Sequence, residues 1–334
     1  MMIGYRCPVN SARVATSLGW KDESDLESLI LGTNGHLEEA GRQHSEHPVT
    51  GREVAINVLK RFADTACVLE AHGWSAERIK QRLGPARRVF AESWFMQRCQ
   101  EWPRGYAGDF ETIEYMVSGA NRSLPGTLGW HIENILLESP VVQQHRNKLK
   151  RQSLEIVEAV MRSRTARVLS IGCGGCMDFV PILPDLKSFA GEIVLNDHEP
   201  AALELAEQRL RPFTTTYRLI PGNVIRVSKR LAGGDCFDLI LAGGLYDYLS
   251  DRAAVFLVNS IYQDLLAPGG VLLFTNMAEG NPWRLLMEYG SDWNLVERSE
   301  DRILEICRKA AIPRSSTTLT REATQLAVIA RVVR

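Results

Sequence analysis

The sequence predicts an α/β protein: a helical first half, then an open, mainly parallel sheet with helices on both faces. Three observations carry that expectation. After Arg164, short β-rich runs alternate strictly with amphipathic helices, the pattern of βαβ units. The first of these strands runs into a glycine-rich turn, Gly172-Cys173-Gly174-Gly175-Cys176. The second ends on a carboxylate, Asp197, about 25 residues further on, the distance of one βα unit.

The 334 residues suffice for one large domain or two ordinary ones, and 45% of them are hydrophobic. Acidic and basic side chains nearly cancel, to a net charge of -1, and no long basic run interrupts the chain. A nucleic-acid partner is therefore not expected, because it would need a clustered Lys/Arg footprint. No apolar run approaches the roughly 20 residues of a membrane helix, and residues 1–10 are too short and polar for a signal peptide. Seven cysteines, an odd count without a secretory signal, read as reduced thiols. The expectation is a soluble cytoplasmic enzyme acting on a small molecule, with neither nucleic acid nor membrane as partner.

Taken in order, residues 50–72 carry Val54, Val58, Leu59, Phe62, Ala66 and Leu69 at helical spacing. Further helices are predicted over 75–83, 86–101 and 140–162, with breaks at Trp102-Pro103-Arg104-Gly105 and Leu124-Pro125-Gly126. The polar stretch 32–48 reads as a loop. Strands are predicted over 168–171, 192–196, 216–220, 237–241 and 270–275. Helices fit between them over 200–210, 224–231 and 250–266, the last with Ser250 as N-cap. The tail adds a helix over 281–289, a short strand near 293–297, a helix over 299–310 and a closing strand near 324–333. A closing hairpin of that kind would put one antiparallel strand at the edge of the sheet. The boundary falls after residue 163, separating a helical cap (1–163) from the sheet domain (164–334).

The chemistry gathers at strand ends, where open α/β sheets bind ligands. Glycines after the first strand let the backbone approach a ligand, so Gly172, Cys173 and Gly174 are candidate contacts. The Cys173/Cys176 spacing invites a zinc or redox reading. No second Cys pair or nearby His pair completes a zinc site, so the two read as packing residues and no metal is expected. Asp197, with His198 beside it, stands where a carboxylate reaches the ribose hydroxyls of a nucleoside cofactor; a helix cap is the plainer role. After the third strand, Asn223 and Val224 are placed to meet an adenine. Ala242 and Gly243 end the fourth strand, and Gly244-Leu245-Tyr246-Asp247-Tyr248 line its mouth.

With these residues in hand, 165–334 resemble the class I S-adenosylmethionine-dependent methyltransferase fold, a Rossmann-like seven-stranded sheet. Three segments narrow the resemblance: 105–112 (Gly-Tyr-Ala-Gly-Asp-Phe-Glu-Thr), 244–252 (Gly-Leu-Tyr-Asp-Tyr-Leu-Ser-Asp-Arg) and Asn281-Pro282 through Asp292-Trp293. They are similar to bacterial methyltransferases of the 3-hydroxypalmitic acid methyl ester biosynthesis type. The resemblance implies S-adenosylmethionine as cofactor, with the turn at Gly172 under its methionine and ribose. It also implies a helical cap whose 105–112 segment reaches into the active site. Gly175-Cys176 departs from the family, where a third spaced glycine is frequent, and related enzymes of natural-product pathways leave the substrate open.

The leading function is methyl transfer to a small-molecule oxygen or nitrogen, in secondary-metabolite or signal biosynthesis. Such a displacement asks the protein mainly for positioning and electrostatics. A carboxylate acceptor needs no base; for a hydroxyl or amine the candidates are Asp247, His131 and Tyr246. Asp247 could equally be a solvated helix-entry carboxylate and His131 a packed histidine. Tyr106 and Tyr246 could face the sulfonium with their rings, worth about 0.5–2 kcal/mol. Asp109 could accept from a substrate or merely cap the helix near Phe110. An alternative on the same fold is cyclisation of S-adenosylmethionine itself to azetidine-2-carboxylate and methylthioadenosine, with Tyr106, Tyr246, Tyr248 and Trp283 as walls. A cofactor-sensing module without catalysis is the third reading, disfavoured by the intact Gly172, Gly174 and Asp197. The acceptor and the oligomeric state, a homodimer among the options, stay open.

Overall fold

The structure, a computed structural model, describes residues 22–42, 48–214 and 216–334. The N-terminal stretch 1–10 lies outside them. The described chain forms two compact units: residues up to Val142 with Asn281–Asn294, and Gln143–Gly280 with Leu295–Arg334. The division thus falls about 20 residues before the 163/164 boundary expected from sequence, and a tail segment joins the helices.

The first unit contains α1 (Glu23–Arg42), α2 (Pro48–Ala71), α3 (Ala76–Arg82), α4 (Gly84–Phe90), α5 (Trp94–Glu101), α6 (Phe110–Ser118) and α7 (Leu128–Leu137). Helix α1 corrects the loop expected from residue 32. Leu26, Ile30 and Leu37 form a buried stripe, and the buried Thr33 hydroxyl meets that of Thr65 at 2.8 Å. Those contacts outweigh Gly32 and Gly35, which each cost about 1 kcal/mol in a helix. Residues 43–47 of that expected loop lie outside the described residues. The single helix expected over 86–101 is two, because Ser93 leaves helical geometry and caps α5 by accepting from the Met96 amide. The helix expected over 281–289 is a turn followed by a π-helical stretch, Leu286–Gly290. Its ends are fixed by ion pairs, Arg284 with Glu70 and Glu288, and Asp292 with Lys80 and Arg87.

The second unit opens with most of α8 (Pro140–Arg162) and builds a seven-stranded sheet. Its strands are β1 (Arg167–Ile171), β2 (Glu192–Asp197), β3 (Tyr217–Pro221), β4 (Phe237–Ala242), β5 (Leu266–Met277), β6 (Thr317–Arg321) and β7 (Ala327–Val333). Helices α9 (Pro200–Leu210), α10 (Val224–Leu231), α11 (Asp251–Ser260) and α12 (Glu300–Lys309) connect them. The spatial order is β3-β2-β1-β4-β5-β7-β6, with β1 to β5 parallel and β7 antiparallel to both neighbours. This is the Rossmann-like sheet that the alternation predicts. Successive strand residues face opposite sides. Leu169 and Ile171 pack with α10, α11 and α12 on one face, Val168 with α8 and α9 on the other. Burial of each such side chain contributes about 1.5–3 kcal/mol.

Two expectations are corrected here. The closing strand β7 is interior, not the edge: Val328, Ala330 and Val332 are buried on one face and Ile329 on the other, while the edge falls to the threonine-rich β6. No strand forms over 293–297 among the described residues, because Val296 and Arg298 donate singly to Asp247 and Met277 carbonyls instead of a ladder. The glycine turn leads into a 3-10 helix, Val180–Ser188, where Pro184 inside the helix lacks the amide an α-helix requires. No helix among the described residues is long and apolar enough to cross a membrane.

Candidate functional site

Strand β1 is buried from Val168 onward, and its chain reverses at once. Gly172 and Gly174 take φ of 59° and 52°, a region glycine enters at little cost. At Gly172 conformation sets the requirement, for an added Cβ would meet only Leu245, at 3.8 Å. Cys176 holds φ 51° without being glycine, fixed by complete burial and a 3.8 Å contact of its thiol to the Ala206 carbonyl. Cys173 and Cys176 are both free thiols, and burial raises the Cys173 pKa well above the usual range. Cys67, by contrast, is disulfide-bonded, so the expectation of reduced thiols fails there; an odd total does not speak to any single pair.

Asp197 closes this turn. Its Oδ2 accepts from the Gly174 amide at 2.9 Å, its Oδ1 from the Glu199 amide at 3.0 Å, and His198 Nδ1 stands 3.3 Å from Oδ1. The carboxylate therefore links the end of β1 to the start of α9 and keeps a lone pair on each oxygen. It is buried, while His198 is more than half exposed. At the next strand end, Asn223 caps α10 by accepting from the Ile225 amide at 3.0 Å, and Val224 is buried behind it.

Ala242 is buried at the end of β4. Gln152 of α8 crosses Gly243: an added Cβ would lie 2.2 Å from the Gln152 amide, so a side chain here would displace it. The following Tyr246 is buried in the apolar core, its ring 4.4 Å from that of Phe274. Burial pushes its phenol pKa up and keeps the hydroxyl protonated, so it offers no phenolate as base. Asp247 is also buried, accepting from the Met277 amide and lying 3.5 Å from Lys148 Nζ. Burial raises its pKa, against the pull of Lys148. Tyr248 is partly exposed. The bend carrying these residues is held by Arg298, fully buried, which donates to the Tyr246 and Leu249 carbonyls, Asn276 and Asp251.

Two further features carry no distinctive local sequence signature: Arg298 and a buried polar row on α8. Gln144, Lys148 and Gln152 are 0%, 2% and 5% exposed and lie one turn apart. Ser153 donates to the Asp178 carbonyl just past the glycine turn. Asp178 is buried, and burial raises its pKa to about 7. Its Oδ1 has no hydrogen-bond partner among the described residues. The available signal was the i, i+4, i+8 spacing of the polar row, masked by an ordinary amphipathic pattern.

The remaining candidates lie in the helical unit. Asp109 is the N-cap of α6, accepting from the Thr112 amide at 3.0 Å, and pairs with Arg98 at 2.6 Å. Gly105 and Gly108, at φ 85° and 71°, flank the half-buried Tyr106. His131 is buried on α7 against Gly51, where an added Cβ would fall 2.0 Å from its Nε2, and against Trp130. Trp283 is buried in the same unit.

No protein-family model matches the chain, and no curated protein matches it. Among solved structures, a protein of Bordetella parapertussis described as a possible exported protein shares the fold over 98% of this chain and 99% of its own. Its TM-score is 0.56 at 14% identity. Magnesium protoporphyrin IX methyltransferase of Synechocystis, with bound S-adenosylhomocysteine, covers 59% of this chain and 87% of its own, at 12% identity and TM-score 0.45. The N-methyltransferase NodS of Bradyrhizobium japonicum covers 67% and 97%, at 17% identity and TM-score 0.41. The first likeness is one of fold; the other two are too distant in shape to carry an argument.

Proposed function

We propose that the sheet unit binds S-adenosylmethionine and directs its methyl group to a small-molecule oxygen or nitrogen, in the cytoplasm and in secondary-metabolite or signal biosynthesis. The observation that supports this best is the Asp197 carboxylate, fixed by the Gly174 and Glu199 amides at the C-terminal edge of the sheet. Two lone pairs remain on it for a ribose diol, and the absence of a side chain at Gly172, where a Cβ would meet only Leu245, suits a nucleoside beside the turn. When bound, the sulfonium supplies an electrophilic methyl carbon. The chain's own residues then hold and orient. Tyr246 and Asp247 are committed to core and ion pair, so the titratable group best suited to take a proton is Asp178, poised near neutrality. A carboxylate acceptor would dispense with it. The substrate class draws only on the sequence resemblance to signal-forming methyltransferases.

Calorimetry with S-adenosylhomocysteine tests the assignment. Asp197→Ala should lose about 2–4 kcal/mol of binding, the charge-assisted hydrogen bonds of a desolvated site. Unchanged affinity would remove Asp197 from the cofactor site. Mass spectrometry after incubation with S-adenosylmethionine alone should show no turnover; methylthioadenosine formed without an acceptor would replace methyl transfer with cyclisation.

A further inference from the structure

Helix α8 buries a charge that the described residues do not fully satisfy. An ammonium carries three N–H donors. That of Lys148, 2% exposed, has one hydrogen-bond partner among the described residues, Asp247 Oδ2 at a long 3.5 Å. That carboxylate is already shared with the Met277 amide and feels the Arg298 charge. One turn earlier, Gln144 is 0% exposed, and neither its Nε2 nor its Oε1 has a partner among the described residues. Buried polar groups of this kind cost several kcal/mol unless paired. A native core that leaves two unpaired atoms and an under-satisfied ammonium on one helix face is prepared for something else to pair them.

The position of that face narrows what it receives. One turn beyond Lys148, Gln152 lies across Gly243 at the end of β4, and the adjacent Ser153 holds the loop after β1. β1 and β4 are neighbours in the centre of the sheet, so the face meets the edge where open sheets bind ligands. Burial and the Lys148 charge hold His145 neutral, so the face presents a single positive charge.

We propose that Gln144 and Lys148 are the receptor for the α-amino acid end of S-adenosylmethionine, an inference that rests on the cofactor reading above. Lys148 Nζ and Gln144 Nε2 donate to its carboxylate, and Gln144 Oε1 accepts from its ammonium. Gln152 positions the face against Gly243.

Two ligands isolate this contact: S-adenosylhomocysteine carries the amino acid arm, and methylthioadenosine lacks it. Calorimetry on the full chain should show the first binding at least tenfold more tightly. Gln144→Leu and Lys148→Met should each erase that difference, raising the S-adenosylhomocysteine Kd at least tenfold while the methylthioadenosine Kd stays within twofold. Gln144→Leu leaves the Lys148–Asp247 pair intact, so it reports even if Lys148→Met fails to fold. Unchanged S-adenosylhomocysteine affinity in Gln144→Leu overturns the receptor, as does equal weakening of both ligands. A wild-type chain that binds neither ligand overturns the cofactor reading, and the receptor with it.

Discussion

Each unit of this protein buries a conspicuous polar cluster, and the two are treated in opposite ways. In the helical unit, Glu133 is fully buried and collects five donors: the Ser93 and Ser123 hydroxyls, the Phe95 and Arg122 amides and the Tyr115 phenol. Burial pushes its pKa up, but those donors outweigh it and the net shift is downward. In the sheet unit, Lys148 has one long contact and Gln144 has none among the described residues. The first arrangement closes on itself and joins α5, α6 and α7. The second is left open at a strand-end edge. Completeness of hydrogen bonding thus separates a polar cluster that holds a fold from one that waits for a ligand.

The largest expected effect breaks the closed cluster. Glu133→Ala strands five donors and should cost about 3–5 kcal/mol in denaturant unfolding; a loss under 1 kcal/mol would deny the cluster its structural role. The sign with pH follows from the lowered pKa. The stabilisation is present above the ordinary glutamate value of 4.5 and is lost as pH falls below it through the folded-state value. Glu133→Gln should flatten that acid limb.

An intermediate effect concerns Asp178, whose pKa burial raises from 3.8 to about 7. A raised carboxyl has its stability fully present below 3.8 and loses it as pH climbs to about 7. Melting curves of wild type and Asp178→Asn should therefore diverge between pH 4 and 7, by about 2–4 kcal/mol in favour of the variant. Parallel curves would show that the group is not buried as a charge.

The smallest effect sharpens the contrast. Gln144→Leu removes two unpaired polar atoms, so it should leave the ligand-free protein as stable or more stable, by about 1 kcal/mol. The same kind of change in the closed cluster can only destabilise. A clear drop in stability would mean that Gln144 is a structural residue.

Much of the sheet was legible because parallel strands buried on both faces read as apolar runs. Val168-Leu169-Ser170-Ile171 and Phe237 to Leu241 lie inside β1 and β4. The position of Asp197 followed from the same spacing. The helical unit was harder: Thr33 and Asn34 are buried in α1, and polar residues on a buried face make a helix look like a loop. The least legible residues are those the comparison turns on. Glu133, Lys148 and Gln144 have the composition of any solvated helix face, and only tertiary packing decides that they are buried. Tyr246 failed in the opposite sense: its glycine-rich neighbourhood suggested a mouth, but the ring found Phe274 and the core.

The helical unit is not continuous in the chain, and that constrains the order in which it can be completed. Arg87 meets Asp292 across 205 residues, and Glu70 meets Arg284 across 214. At a synthesis rate of about 5–20 residues per second, the N-terminal helices wait roughly 10–40 seconds for those partners. In that interval β1 to β5 are made, so the sheet can begin to form while the older helices are still incomplete. A fragment ending at Val142 lacks the 281–294 segment altogether and should be captured by chaperones or aggregate, although it holds every α-helix of its unit. For this chain, the helices made first wait for a segment made only after five of the seven strands.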